Sequence, residues 1–97
     1  MGVRHAREYS DILSDLKDAI KKIEDSYTFF EMSYIEWNAL LIDEQEEVLE
    51  ALADDVFYGL GEEPEIEVGS AKVTYNKEQH KLEIRKDEQL LATVNLI

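Results

Sequence analysis

Apolar residues recur at three- and four-residue steps along the first part of the chain, and this spacing predicts one long amphipathic helix. The apolar positions are Val3, Ala6, Tyr9, Ile12, Leu13, Leu16, Ile20, Ile23 and Tyr27. Neither Gly nor Pro interrupts residues 3–26. We therefore expect a helix over that range, with a frayed first turn. Lys17, Lys21 and Lys22 fall in its C-terminal half, where positive charge suits the helix dipole.

Residues 27–37 break this period and contain five of the nine aromatic residues. Ser33 and Glu36 have the spacing of a capping box, which predicts a short second helix from Tyr34 to about Leu41. The aromatic cluster has two interpretations. It fills the corner between helices and sheet, or it exposes a binding surface, because Tyr and Trp are enriched at binding hot spots. The residues considered for such a surface are Tyr27, Phe29, Tyr34 and Trp37.

A third helix is expected from about Glu44 to Leu60. Asp43 and Glu46 repeat the capping-box spacing at its start. Gly61 stands where a left-handed C-cap is expected, and Pro64 prevents the helix from continuing. The apolar positions of this helix are Val48, Leu49, Leu52, Ala53, Val56, Phe57 and Leu60.

Beyond Pro64 the apolar period changes to 2, which predicts three strands of an antiparallel meander. Turns are expected at about Lys77–His80 and Lys86–Gln89. Ile66 and Val68 have even numbers, whereas the apolar residues of the first strand, Val73 and Tyr75, have odd numbers. In one regular strand the two pairs would point to opposite faces, so Gly69 is expected to mark a bulge or a break. The alternating apolar positions are Val73, Tyr75, Leu82, Ile84, Ala92, Val94 and Leu96.

A three-stranded sheet with one apolar face needs helices to cover it. The predicted fold is therefore α+β, with two or three N-terminal helices packed on a C-terminal three-stranded antiparallel β-meander. One domain is expected over residues 1–97, helical over about 3–60 and a meander over about 65–97. Leu90 to Ile97 should pair as a strand that buries Val94 and Leu96.

The formal net charge is −13, and the excess lies in the middle of the chain. Residues 1–22 carry five bases and four acids, and residues 72–97 carry the same numbers. Residues 23–71 carry fifteen acids and no Lys or Arg. Such a surface repels nucleic acid and anionic membranes and attracts basic proteins or cations. The alternative is that the acids only keep the protein soluble.

Sequence signatures of catalysis or metal binding are missing. The chain has no Gly-rich phosphate loop, no Gly-x-Ser-x-Gly and no His-Glu-x-x-His. An EF-hand loop starting at Asp43 would need Gly at position 6 and Glu at position 12, but these are Val48 and Asp54. We therefore predict no enzyme, no cofactor and no specific metal site. The chain has no cysteine, no signal peptide and no apolar span, so a cytoplasmic location is expected.

The acidic middle segment supplies the candidate binding residues. Carboxylates about 5–6 Å apart along a helix approximate the spacing of successive phosphates. One hypothesis is an acidic binding module that docks on a basic protein, in one form by imitating nucleic acid on a nucleic-acid-binding protein. The alternative is a structural or regulatory protein that self-associates or binds through residues 27–37. The candidate residues are Glu36, Asp43, Glu46, Glu47, Glu50, Asp54, Tyr34 and Trp37.

Overall fold

Three α-helices precede a four-stranded sheet in the computed structural model, which describes residues 2–97. The class is α+β, as the sequence predicts. The helices are α1 (Tyr9–Ile20), α2 (Tyr34–Ala39) and α3 (Ile42–Gly59), with a short 3-10 helix at Ser26–Phe30 between α1 and α2. The strands are β1 (Glu65–Val68), β2 (Ala71–Asn76), β3 (Lys81–Lys86) and β4 (Gln89–Asn95).

The strands lie in the order β1-β2-β3-β4, and each neighbouring pair is antiparallel. Val73 pairs with Ile84, and Leu82 pairs with Val94, so one face of the sheet is apolar. Helices α1 and α3 bury their apolar sides in a single core cluster with that face. The largest fully buried side chains from the helices are Ile12, Leu16, Ile20, Leu52 and Val56.

The sheet has four strands where the sequence predicts three. Ile66 and Val68 form a separate strand because the two-residue loop Gly69–Ser70 reverses the chain. Val68 then pairs with Ala71, and both side chains are buried on the same face of the sheet. An even-numbered and an odd-numbered residue can share a face here because they belong to two strands. Gly69 has a φ of +58°, and a Cβ there would lie 2.5 Å from the carbonyl oxygen of Asp25. A glycine is therefore required, and it marks a break between strands.

The predicted helix over residues 3–26 is too long at both ends. Residues 2–8 lie outside the helix, beside the end of the sheet. The carbonyl oxygen of Leu96 accepts hydrogen bonds from the backbone N–H groups of Ala6 at 2.8 Å and Arg7 at 3.2 Å. Val3 is buried without being helical. Contacts with the C-terminal end of the chain thus supply the backbone hydrogen bonds of this segment, and Val3 is buried although it is not in a helix. The apolar spacing alone wrongly predicts that a helix does both.

The capping box of α2 is confirmed. The N–H of Glu36 donates to Ser33 Oγ, and the N–H of Ser33 donates to Glu36 Oε1, each at 3.1 Å. The capping box predicted at Asp43 and Glu46 is wrong. Helix α3 begins at Ile42, where the carboxylate of Glu44 accepts a hydrogen bond from the N–H of Leu41 at 2.9 Å.

The left-handed C-cap predicted at Gly61 is also wrong. Gly69 is the glycine with a positive φ among residues 2–97. Helix α3 instead ends in tight turns, in which the carbonyl oxygen of Gly59 accepts from the N–H groups of Glu62 and Glu63. Because these bonds satisfy the last carbonyl groups of the helix, no left-handed residue is needed there.

The C-terminal strand buries the side chains that the sequence predicts. Val94 and Leu96 are 1% and 0% exposed, and Leu96 donates its N–H to the carbonyl oxygen of His80 at 2.9 Å. A bulge lies in β4, because Arg85 pairs with Leu90 whereas Ile84 pairs with Ala92. The last element of the chain is therefore part of the core.

We expect Leu96→Ala to lower the free energy of unfolding by about 2–5 kcal/mol, because it leaves a cavity in the core. The matched control is Ile97→Ala, since the Ile97 side chain is 64% exposed. That control should stay within about 0.5 kcal/mol of the parent. Urea denaturation of the three proteins measures both values, and equal stabilities would contradict the burial of Leu96.

Candidate protein-binding surface on α2 and α3

Four candidate acids lie along one side of α3, since they follow one another at steps of four, three and four residues. We call Asp43, Glu47, Glu50 and Asp54 the acidic face. Asp43, Glu47 and Glu50 are exposed, and Asp54 is half-buried. Among residues 2–97, none of the three exposed acids forms an ion pair. The acidic face therefore presents negative charge that no ion pair within this part of the chain neutralises, although Glu50 attracts Lys17 of α1.

Glu46 differs from its neighbours because it joins α3 to α1. Its carboxylate lies 2.8 Å from Lys17 Nζ and 2.6 Å from Lys21 Nζ. The hydrogen bonds from Lys17 and Lys21 lower the pKa of Glu46, and the bond to Glu46 raises the pKa of Lys17. Glu46 therefore holds α3 against the C-terminal part of α1, and both lysines form their ion pairs with it.

Asp54 is held by a tyrosine of α1. Tyr9 Oη donates a hydrogen bond to Asp54 Oδ1, and the Tyr9 ring packs edge-on against Phe57 with 5.0 Å between ring centroids. Burial, followed by the bond to Asp54, raises the pKa of the Tyr9 hydroxyl, so it keeps its proton and donates at neutral pH. Between α1 and α3, a surface groove is lined by Leu13, Glu47, Glu50, Ala51 and Asp54.

Glu36 and Trp37 are engaged in holding α2 in place. The hydrogen bonds from Ser33 lower the pKa of Glu36, whose carboxylate remains exposed. The Trp37 ring stacks on Tyr27, with 5.5 Å between centroids and an interplanar angle of 13°. The Trp37 carbonyl oxygen also accepts a hydrogen bond from Gln45 Nε2 at 2.9 Å. Tyr27 is therefore part of the packed interior, and Trp37 packs on it with one side while it remains half-buried.

Tyr34 is the most exposed member of the aromatic segment, in which Phe30 is exposed to 37%. Three aliphatic residues near Tyr34 in the chain are exposed as well. Tyr34, Ile35, Leu41 and Ile42 are 69%, 80%, 71% and 77% exposed. We call these four residues the apolar corner. They lie on α2 and at its junction with α3, and α2 contributes no buried residue.

Sequence reasoning missed Ile35, Leu41 and Ile42. A signal was available, because residues 39–42 read Ala-Leu-Leu-Ile. Successive residues of a helix point about 100° apart, so four consecutive apolar residues at a helix boundary do not all face one core. Some had to be exposed, although the sequence does not say which.

Other functional features were sought in the described part of the chain. Within residues 2–97, no group of three His, Asp or Glu side chains is placed to hold a metal ion. No helix in the same range is long and apolar enough to cross a membrane. His5 lies beside Phe57, with 5.6 Å between ring centroids, and His80 lies in the β2–β3 turn. The histidines are therefore on different elements.

We expect Glu46→Gln to lower the melting temperature at pH 7, because it removes both ion pairs between α1 and α3. The folded state lowers the pKa of Glu46, so its stabilising effect is present above the unfolded pKa and is lost as pH falls through the folded value. The difference from the parent should therefore shrink towards about pH 3. Glu47→Gln is the control and should not lower the melting temperature. Equal effects of the two variants would contradict the assignment.

Comparison of the chain with models of protein families, with curated proteins and with solved structures found no match. No activity, ligand or partner can therefore be transferred from a relative. The acidic face and the apolar corner are the features from which a function can be inferred.

Proposed function

We propose that the protein is a non-enzymatic binding module whose acidic face docks on the basic surface of a protein partner. The observation that carries the proposal is that Asp43, Glu47 and Glu50 are exposed and unpaired among residues 2–97, while Lys17 and Lys21 both bind Glu46. An exposed surface of one sign attracts a partner of the opposite sign and speeds their encounter.

Solubility alone is a weaker explanation of this charge distribution. A solvated helix face usually carries both signs, because like charges one turn apart destabilise a helix by about 0.2–0.5 kcal/mol per pair. Asp43, Glu47 and Glu50 are such neighbours, and no base occurs between residues 23 and 71. The helix dipole favours Asp43 in the first turn of α3, so the unfavourable part of the arrangement is the repulsion between Glu47 and Glu50 further along the helix. A basic partner would relieve that repulsion.

Imitation of nucleic acid is the finer form of the proposal. Asp43, Glu47 and Glu50 follow one another at steps of four and three residues along α3, a helical spacing of about 5–6 Å between Cβ atoms that resembles the spacing of successive phosphates. Glu46 contributes less to such a row because two lysines neutralise it, and Asp54 is engaged by Tyr9. A partner of this kind would bind either this protein or nucleic acid, and added DNA would compete.

Self-association through residues 27–37 is the second candidate function. The exposure of Tyr34 favours it, because a large aromatic side chain outside the core is available for contact. This association would be apolar and would survive high salt, whereas docking of the acidic face would be screened.

The test uses the immobilised protein to capture proteins from a cell lysate at about 50 mM and about 500 mM salt. We expect basic proteins to be retained at low salt and released at high salt. Glu47→Lys combined with Glu50→Lys should abolish retention. Glu78→Lys combined with Glu88→Lys is the matched control, since it changes the net charge equally in two hairpin turns and should leave retention unchanged.

Equal loss in both double variants would show a response to total charge and would contradict docking through the acidic face. Retention that survives high salt and fails on Tyr34→Ala would favour the apolar alternative. Retention of nucleic-acid-binding proteins that added DNA displaces would support the imitation of nucleic acid.

A further inference from the structure

We infer that the apolar corner is the anchor of the same interface and seats against an amphipathic helix of the partner, with Lys and Arg flanking the apolar stripe of that helix. The basic character of this helix rests on the proposed function. The anchor itself rests on separate observations, namely the exposure of the corner and the way α2 is held.

The fold does not need the side chains of the apolar corner. Helix α2 contributes no residue to the core, and all four corner side chains are at least 69% exposed. Burying large apolar side chains is the main source of stability in proteins, so leaving four of them in water forgoes that gain. Contiguous apolar residues with polar neighbours are typical of interaction sites.

The surface is nevertheless held in a defined shape. Both hydrogen bonds of the Ser33–Glu36 capping box are present, and Trp37 stacks on the buried Tyr27. Gln45 of α3 donates to the carbonyl oxygen of Trp37. A surface that is ordered before binding loses little conformational freedom when a partner arrives. These contacts therefore hold α2 in a fixed shape before any partner binds, as expected of a recognition surface and not of a frayed loop.

A pocket beside the corner indicates the shape of the partner. Ile42 lines it together with Trp37 of α2, Leu49 of α3 and Ile23 beyond the end of α1. On the polar side of the same pocket lie Glu24, Lys21 and Glu46, and because Lys21 pairs with Glu46, the carboxylate of Glu24 carries the negative charge there. One apolar side chain of a docked helix would fit there while its neighbours cover the exposed corner, which is how an amphipathic helix binds an apolar groove.

Charge decides between the possible occupants of the corner. Glu36 and Asp43 lie within or directly beside the residues that form it, and no Lys or Arg occurs from residue 23 to residue 71. A second copy of the chain would bring acids against acids, and an anionic membrane would be repelled in the same way. A helix flanked by Lys and Arg neutralises the rim while its apolar stripe covers the corner.

The test is an NMR titration with a peptide built of Leu and Lys, in which the leucines share one helical face. A peptide of the same composition with scrambled order is the control, because it carries equal charge and no apolar stripe. We expect the amphipathic peptide to bind about tenfold more tightly or better. The amides of residues 34–43 should shift with it.

The variant that tests the anchor is Ile35→Ser combined with Ile42→Ser. It should lose the preference for the amphipathic peptide and keep the melting temperature of the parent, because both side chains lie outside the core. Leu90→Ser combined with Ile97→Ser is the matched control, since these residues are 44% and 64% exposed at the other end of the chain. This control should keep the preference.

The outcomes separate the anchor from the proposed function. Equal binding of both peptides, with shifts confined to the acidic face, would leave that function standing and overturn the anchor. Binding of neither peptide at low salt would overturn the docking of basic partners altogether. A large fall in the melting temperature of the Ile35/Ile42 variant would show that these residues serve folding. A dimer of the protein alone that this variant dissociates would identify a second copy as the occupant and overturn our inference.

Discussion

Burial of one face of the sheet by two helices is the constraint on which the rest of the structure depends. A chain of 97 residues has a small core, and here one cluster joins α1, α3 and all four strands. Leu52 and Val56 of α3 meet Ile12 and Leu16 of α1 in that cluster. The same core explains why α1 is shorter than its apolar spacing predicts. Val3 before the helix and Ile23 after it are both buried in the cluster without being helical.

Helix α2 contributes no fully buried residue, and its contact with the core cluster is the half-buried ring of Trp37. The short 3-10 helix packs beside α3 and β1. The ring of its Tyr27 stacks on the ring of Trp37 in α2. One ring of α2 is thereby tied to the fold while Tyr34 and Ile35 project from it. The residue that ties α2 to the fold thus differs from the exposed residues on which our proposal places recognition, and this is why the proposal can be tested with variants of the apolar corner that keep the core intact.

The charged residues of α1 and α3 likewise fall into two groups, those that form ion pairs between the helices and those that remain exposed. Lys17 and Lys21 could neutralise several acids of α3, yet both bind the single carboxylate of Glu46. These two ion pairs hold α1 against α3, and they leave Glu47 and Glu50 exposed with no ion pair among the described residues. Glu50 feels only the more distant attraction of Lys17. Repulsion along α3 is tolerated because the opposite side of the helix is deeply buried, and most helical stability in proteins comes from such packing.

Local sequence patterns predict the α+β class, the α2 capping box, the apolar stripe of α3 and the strands β2 to β4, because each depends on residues close together in the chain. Contacts between distant segments establish the separate strand β1, the non-helical path of residues 2–8, the pairing of Glu46 with two lysines and the binding of Asp54 by Tyr9. They also establish that Trp37 packs while Ile35, Leu41 and Ile42 are exposed. These outcomes depend on contacts between residues distant in sequence. Periodicity cannot reveal them, because it shows which residues share a side of an element and not what that side meets.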